Sequence, residues 1–160
     1  MRNVMSPLIG LAVTIGMVSP AAAAWVTTSD DGIGTYATAA LAEDGRAQLE
    51  IACEAGYHDI LVVTIFTGEA YDPESSYSDE VPISVMADGR QQPVFYGAFE
   101  GQDGELVVTA YTSYDGPPGQ FLGAMAASTS TIDVRFYQRE YRFSPEGFAP
   151  AMRYLDEKCQ

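Results

Sequence analysis

Two cysteines, Cys53 and Cys159, constrain the fold of this chain more than any other feature of its sequence. With two cysteines only one pairing exists. A bridge between them closes a loop of about 107 residues, which in the chain-entropy treatment stabilises a fold by about 4–5 kcal/mol. Cys159 is the penultimate residue, so the bridge would also hold a C-terminal segment that otherwise frays. We therefore predict a structural disulfide, since the C-x-x-C spacing of redox sites and a neighbouring set of metal ligands are both missing from the sequence.

The N-terminal segment has the pattern of a cleavable secretory signal peptide. Arg2 gives a basic tip, residues 4–18 are mostly apolar, and a proline and four alanines follow. Small residues occupy the −3 and −1 positions of a cleavage site after Ala24. The apolar run is shorter than the ~20 residues of a membrane-spanning helix. We predict that residues 1–24 are a signal peptide and that residues 25–160 form a single β-rich domain, periplasmic or secreted; an uncleaved N-terminal anchor is the alternative.

The charge of the chain is strongly negative, with 22 acidic and 8 basic residues and a net charge of −14 at pH 7. Nucleic acids and anionic membrane surfaces bind basic patches, so both are poor partners for this chain. A cationic partner is compatible with the charge, and so is the simpler role of keeping an exported protein soluble. The segment from Glu69 to Glu80 concentrates carboxylates, whereas most basic residues lie in the last part of the chain.

The distribution of apolar residues predicts a mainly β fold. Residues 47–53 and 81–87 alternate between apolar and polar positions, as half-buried strands do. Residues 60–66 are continuously apolar and rich in β-branched side chains, which favours a central strand. The Asp88-Gly89 dipeptide is typical of a tight hairpin turn. We expect about eight short strands in an antiparallel β-sandwich or small barrel, with a C-terminal helix packed on the sheet.

The C-terminal residues have the periodicity of an amphipathic helix. Ser144 is a suitable N-cap and Pro145 suits the first helical position. The apolar residues then recur at intervals of four, three and four, which places them on one helical face: Phe148, Met152, Leu155 and Cys159. The pattern therefore predicts a helix that brings Cys159 to a strand containing Cys53. A shorter helix is predicted around residues 121–126, after a loop at residues 115–119.

Several of these features together resemble a family of exported proteins. They are Trp25 directly after the signal, a strand ending in Cys53, an alternating strand that ends at Asp88-Gly89, and a terminal helix carrying the last cysteine. The chain resembles small periplasmic proteins of the invasion-associated locus B type, and single-disulfide accessory proteins of type VI secretion systems. The resemblance implies a periplasmic β-sandwich and supplies no catalytic residues.

Catalytic and metal-binding motifs are weak. His58 is the only histidine, and no G-x-S-x-G motif accompanies it, so we interpret it as part of a surface turn rather than as a catalytic base. The acidic loop after Glu69 lacks the spacing of a calcium-binding loop, although calcium binding stays open. We predict no catalytic residue, no metal site and no cofactor.

Tyrosines beside acidic residues are the most suggestive feature. Tyrosine combines a rigid apolar ring with a polar tip and is common at recognition surfaces. If the two loops that carry them lie at one end of the sheet, they form an acidic aromatic patch. We predict a non-catalytic binding domain that recognises a cationic protein or an envelope glycan through Tyr71, Asp72, Glu74, Tyr77, Tyr111, Tyr114 and Asp115. The alternatives are a structural subunit of an envelope or secretion complex and a hydrolase that uses His58.

Overall fold

A computed structural model of the chain describes residues 24–30, 32, 34–57, 60–112 and 117–159, which form ten strands and two helices. The predicted signal peptide lies outside the described residues except for Ala24. The strands are β1 (Val26–Asp30), β2 (Thr35–Leu41), β3 (Gln48–Glu54), β4 (Leu61–Ala70), β5 (Val81–Ala87), β6 (Arg90–Gln91), β7 (Phe95–Gln102), β8 (Glu105–Thr112), β9 (Ile132–Phe136) and β10 (Arg139–Phe143). The helices are α1 (Pro117–Ala126) and α2 (Phe148–Cys159). Among the described residues, no helix is both long and apolar enough to span a membrane.

The strands form one antiparallel sheet that curls into a half-barrel, in the order β1-β2-β3-β4-β8-β7-β5-β9-β10, with β6 beside β5. The predicted fold class is confirmed: the protein is mainly antiparallel β with a C-terminal helix on the sheet. Because the described strands follow one continuous path, the arrangement corresponds to the barrel alternative rather than to a sandwich of two sheets. The core fills the concave face, where α2 packs against β2 and β3.

Side-chain alternation decides which face of each strand enters this core. On β3, Leu49, Ile51 and Cys53 are buried, as their period-2 spacing predicts. On β4 the same face continues through Leu61 and its alternate neighbours, paired in register with β3. The predicted and observed buried faces agree because a shift by one residue would turn all the apolar side chains of a strand to solvent.

Two-residue turns close the hairpins β5–β6 and β7–β8. In the turn after β5, Asp88 has φ 50° and Gly89 has φ 74°. In the turn between β7 and β8, Asp103 has φ 52° and Gly104 has φ 84°. Two successive residues with positive φ are the signature of the type I′ turn, for which Asp-Gly is a preferred sequence. The predicted hairpin at Asp88-Gly89 is therefore confirmed.

The carboxylate of Asp88 also holds the loop that precedes β9. It accepts hydrogen bonds from the backbone amides of Thr129, Ser130 and Thr131 and from the hydroxyl of Ser128. These donors, with the Ser128 hydroxyl contributing most, hold the pKa of the Asp88 carboxyl well below its usual range.

We expect Asp88→Ala to loosen this loop in a pH-dependent way. Because the folded pKa is lowered, the stabilisation by Asp88 is complete above the unfolded pKa of about 3.9 and is lost as pH falls further below it. Amide hydrogen exchange of Thr129, Ser130 and Thr131 should be faster in the variant than in the wild type at pH 7. Urea unfolding should show a stability difference that is largest at neutral pH and smaller below pH 4. A difference independent of pH would contradict this role of the carboxylate.

Both helices begin elsewhere than the sequence predicts. α2 starts at Phe148 rather than at Pro145, because Gly147 has φ 83° and cannot be part of a right-handed helix. Ser144 instead accepts a hydrogen bond from the Glu146 amide through its hydroxyl oxygen. α1 starts at Pro117, inside the predicted loop, since the first turn of a helix does not use its amide hydrogens. The predicted buried face of α2 is confirmed.

The disulfide joins Cys53 on β3 to Cys159 at the end of α2, and the two Cα atoms are 6.2 Å apart. Both cysteines are buried. The predicted pairing is thus confirmed. A disulfide is consistent with an oxidising compartment.

Candidate functional site

The two tyrosine loops expected to form one patch lie at opposite ends of β8. Ala70, directly before Tyr71, pairs with Glu105 at the start of β8, whereas Tyr111 is near its end. Six residues of extended strand separate these ends by about 20 Å. Tyr114 and Asp115, like His58, lie outside the described residues. The residues that the structure describes therefore do not form one patch from both loops. The candidate site is the loop after Tyr71 and the residues around it.

Tyr111 instead belongs to an apolar groove on the outer face of the sheet. Its side chain is 70% exposed. The groove has a volume of about 270 Å³, and its other walls include Tyr57, Ile60 and Val62.

Four aromatic rings form a continuous strip at the other end of the half-barrel, and we call Tyr71, Tyr77, Phe99 and Tyr137 the aromatic strip. Tyr71 stacks on Tyr77 with ring centroids 5.3 Å apart, and Tyr77 lies 5.7 Å from Phe99. Phe99 stacks on Tyr137 at 5.8 Å. A Cβ atom at Gly101 would lie 2.4 Å from the ring of Tyr71, so this glycine makes room for the strip.

The loop that carries Tyr71 and Tyr77 is held by its own hydrogen bonds. The Asp72 carboxylate accepts one from the Glu74 amide at 3.0 Å and one from the Ser75 hydroxyl at 2.7 Å. These bonds, that of Ser75 first, lower the pKa of Asp72. The Asp72 amide in turn donates to the Tyr77 hydroxyl oxygen. Of the predicted acidic residues, Asp72 therefore shapes the loop, while Glu74 presents its carboxylate to solvent.

Exposed carboxylates lie in the segments that carry the aromatic strip. The amide of Phe99 donates to the carbonyl of Ser78, which brings the acidic end of the loop alongside β7. No ion pair in the described part of the chain involves any of four exposed acids in this region. These acids, which we call the acidic rim, are Glu74, Asp79, Glu80 and Asp103. Together they make this end of the molecule electronegative.

An internal arginine already rests on the aromatic rings. The guanidinium carbon of Arg139 is 5.7 Å from the ring centroid of Phe99 and 5.9 Å from that of Phe136. Glu69 accepts two hydrogen bonds from Arg139, at 2.8 and 2.6 Å. These bonds lower the pKa of Glu69 and raise that of Arg139. The arrangement shows how a guanidinium is held here, by ring faces on one side and a carboxylate on the other.

A polar cleft of about 330 Å³ adjoins the strip, between the end of β4 and the hairpin of β9 and β10. We call it the seam cleft, and it is lined by Arg46, Thr67, Gly68, Glu69, Gln138, Arg139, Glu140 and Tyr141. The Tyr141 hydroxyl reaches across to the Thr67 carbonyl at 3.4 Å. Burial raises the pKa of Tyr141. The cleft thus contains paired charges, and at Gly68 its wall is formed by backbone atoms.

Sequence reasoning missed Phe99, Tyr137 and Arg139 as members of this site. Tyr137 carried one usable signal, because the apolar phase of β9 breaks there: it occupies the two-residue turn between β9 and β10 with φ 49°. Phe99 lies on the concave face of the sheet, and its place in the sequence is typical of an ordinary core residue.

Comparison with known proteins yields no match: no family model, no curated protein and no solved structure is similar to this chain. The resemblance to locus B and type VI accessory proteins therefore stays a prediction. Within the residues that the structure describes, no three His, Cys, Asp or Glu side chains are grouped so that they could hold a metal ion.

Proposed function

We propose that this protein is an exported, non-catalytic binding domain that recognises a basic polypeptide through the aromatic strip and its acidic rim. The observation that carries the proposal is a run of partly exposed aromatic rings in the same region as carboxylates that have no ion-pair partner among the described residues. Ring faces attract cations through their quadrupole, and this attraction is worth about 0.5–2 kcal/mol for each contact.

The position of Arg139 supports a guanidinium as the preferred group. Its guanidinium lies over the rings of Phe99 and Phe136. Tyr137 is 57% exposed and is the most accessible ring of the strip, whereas Tyr71 and Tyr77 are half-buried and stack on each other. The net charge of −14 adds long-range attraction for a basic partner, which speeds encounter at low ionic strength.

An envelope glycan is the second candidate, favoured by the polar seam cleft next to ring faces. Sugars stack on aromatic rings and need neighbouring hydrogen-bonding groups, which Gln138 and Glu140 offer. This candidate does not use the acidic rim, so the two differ in their dependence on charge and salt.

A calorimetric titration of the protein with an octa-arginine peptide tests the proposal. Tyr137→Asn should weaken binding about 2- to 13-fold, because one ring contact of about 0.5–1.5 kcal/mol is lost. Asparagine tolerates the positive φ of this turn. Glu74→Lys should weaken binding further, and raising the salt concentration from 50 to 300 mM should weaken the wild type.

Matched controls lie at the other end of β8. Tyr111→Asn removes a more exposed tyrosine by the same change, and Glu54→Lys makes the same charge reversal near it. Neither should alter binding by more than twofold. If Tyr111→Asn and Tyr137→Asn have equal effects, the aromatic strip is not the site. Salt-insensitive binding of a neutral oligosaccharide, without binding of the peptide, would favour the glycan instead.

A further inference from the structure

β10 is an edge strand of the sheet, and Glu140 lies on its outer edge. In an antiparallel hairpin, every second residue directs its amide and carbonyl away from the partner strand. The Arg142 carbonyl accepts from the Glu43 amide at 2.8 Å, so Arg142 is one of the outward-directed residues of β10. Glu140, two residues earlier, has the same orientation, and its pairing with Arg135 is the kind without backbone hydrogen bonds. Within the described chain, the Glu140 amide and carbonyl therefore have no backbone partner.

Carbonyl groups farther along the chain from Glu140 have partners. Beyond the carbonyl of Arg142, that of Ser144 accepts from the Trp25 indole at 2.8 Å and that of Glu146 from the Trp25 amide at 3.2 Å. These bonds close one part of the half-barrel's seam, and the seam cleft lies along the part that contains Glu140.

The opposite wall of the seam cleft is formed by the end of β4 and by Arg46, whose backbone carbonyl lies against Gly68. β3 pairs with β4 only as far as Phe66, whereas β4 continues to Ala70. The side chains of Arg139 and Tyr141 cross the gap from β10 to the end of β4, where they reach the Glu69 carboxylate and the Thr67 carbonyl. The seam cleft therefore lies beside the outward amide and carbonyl of Glu140.

We propose that an extended segment of the basic polypeptide binds in the seam cleft as an added strand on the free edge of β10. This inference rests on the proposed function, because the acidic rim and the aromatic strip select the basic segment. The segment pairs with the amide and carbonyl of Glu140, while its neighbouring residues reach the strip next to Tyr137. Strand addition draws affinity from main-chain hydrogen bonds and specificity from side-chain contacts.

The substitution Glu140→Pro tests strand addition directly. It removes the outward amide hydrogen of β10 and leaves the hydrogen bonds to β9 in place, and proline is tolerated on an edge strand in this orientation. Glu140→Ala is the matched control, since it also removes the ion pair with Arg135 but keeps the amide. In titrations with octa-arginine, Glu140→Pro should bind about 2- to 13-fold more weakly than Glu140→Ala, the loss expected for one hydrogen bond of about 0.5–1.5 kcal/mol.

A second measurement uses the wild-type protein and therefore does not depend on the folding of a variant. Octa-arginine methylated on every backbone nitrogen keeps its eight charges but has no amide hydrogen on either strand edge, so it cannot pair as a strand and its affinity should fall at least tenfold. Equal affinity for both peptides overturns strand addition, even when Tyr137→Asn still weakens binding and the proposed function holds. If wild-type protein binds neither peptide, both proposals fail.

Discussion

Removing the disulfide by the double change Cys53→Ala and Cys159→Ala should lower the free energy of unfolding by about 4–5 kcal/mol. The bridge closes a sequence separation of 106 residues, so its loss restores a large conformational freedom to the unfolded chain. Domains of this size are stable by about 5–15 kcal/mol in total, so the variant should be marginal at 37 °C. Urea unfolding followed by circular dichroism at 25 °C measures the difference.

The wild type in its reduced form provides the control. If the stabilisation comes from the cross-link, reduced wild type and the double variant should unfold at nearly the same urea concentration. Amide exchange should be fastest in α2, because Cys159 is its last described residue and the bridge fixes that end on β3. A difference below about 1 kcal/mol between oxidised and reduced protein would contradict the prediction.

The parts of this fold that were predictable from sequence depend on neighbouring residues. Alternation fixed the buried face of β3 through Leu49, Ile51 and Cys53, and Asp88-Gly89 fixed a type I′ turn. In both cases, local stereochemistry and the requirement to bury apolar groups favour the same structure. The single disulfide followed because only one pairing was available.

The parts that were not predictable depend on contacts between distant segments. The aromatic strip needs Tyr77, Phe99 and Tyr137 to meet, which happens only because the sheet curls until β9 and β10 approach the end of β4. Tyr71 and Tyr111 lie at opposite ends of β8, and this separation depends on how β8 pairs with β4. The positions of the tyrosines in the sequence do not reveal that pairing. The start of α2 was misplaced because Gly147 adopts a left-handed conformation beside Trp25.

Trp25 should be the most sensitive single position outside the disulfide. Its ring lies 4.5 Å from that of Phe148 in an edge-to-face arrangement, and its indole nitrogen donates to the Ser144 carbonyl. Trp25→Ala removes a buried aromatic side chain and leaves a cavity at the start of α2, so we expect a loss of about 3–5 kcal/mol. Trp25→Phe keeps the ring contact and loses the hydrogen bond, which should cost about 1–2 kcal/mol.

The neighbouring residue offers a matched control. Val26 is 61% exposed, so Val26→Ala should change stability by less than about 0.5 kcal/mol. If Trp25→Ala were as mild as this control, the first described residues would not anchor the fold. Trp25 and the disulfide act on opposite ends of α2, Trp25 at its start and the disulfide at its end. Because this helix of 12 residues separates the two sites by about 16 Å, their losses should add to within about 0.5 kcal/mol in the triple variant. That sum is a large part of the roughly 5–15 kcal/mol that stabilises a domain of this size, so the triple variant should have little stability left at 25 °C.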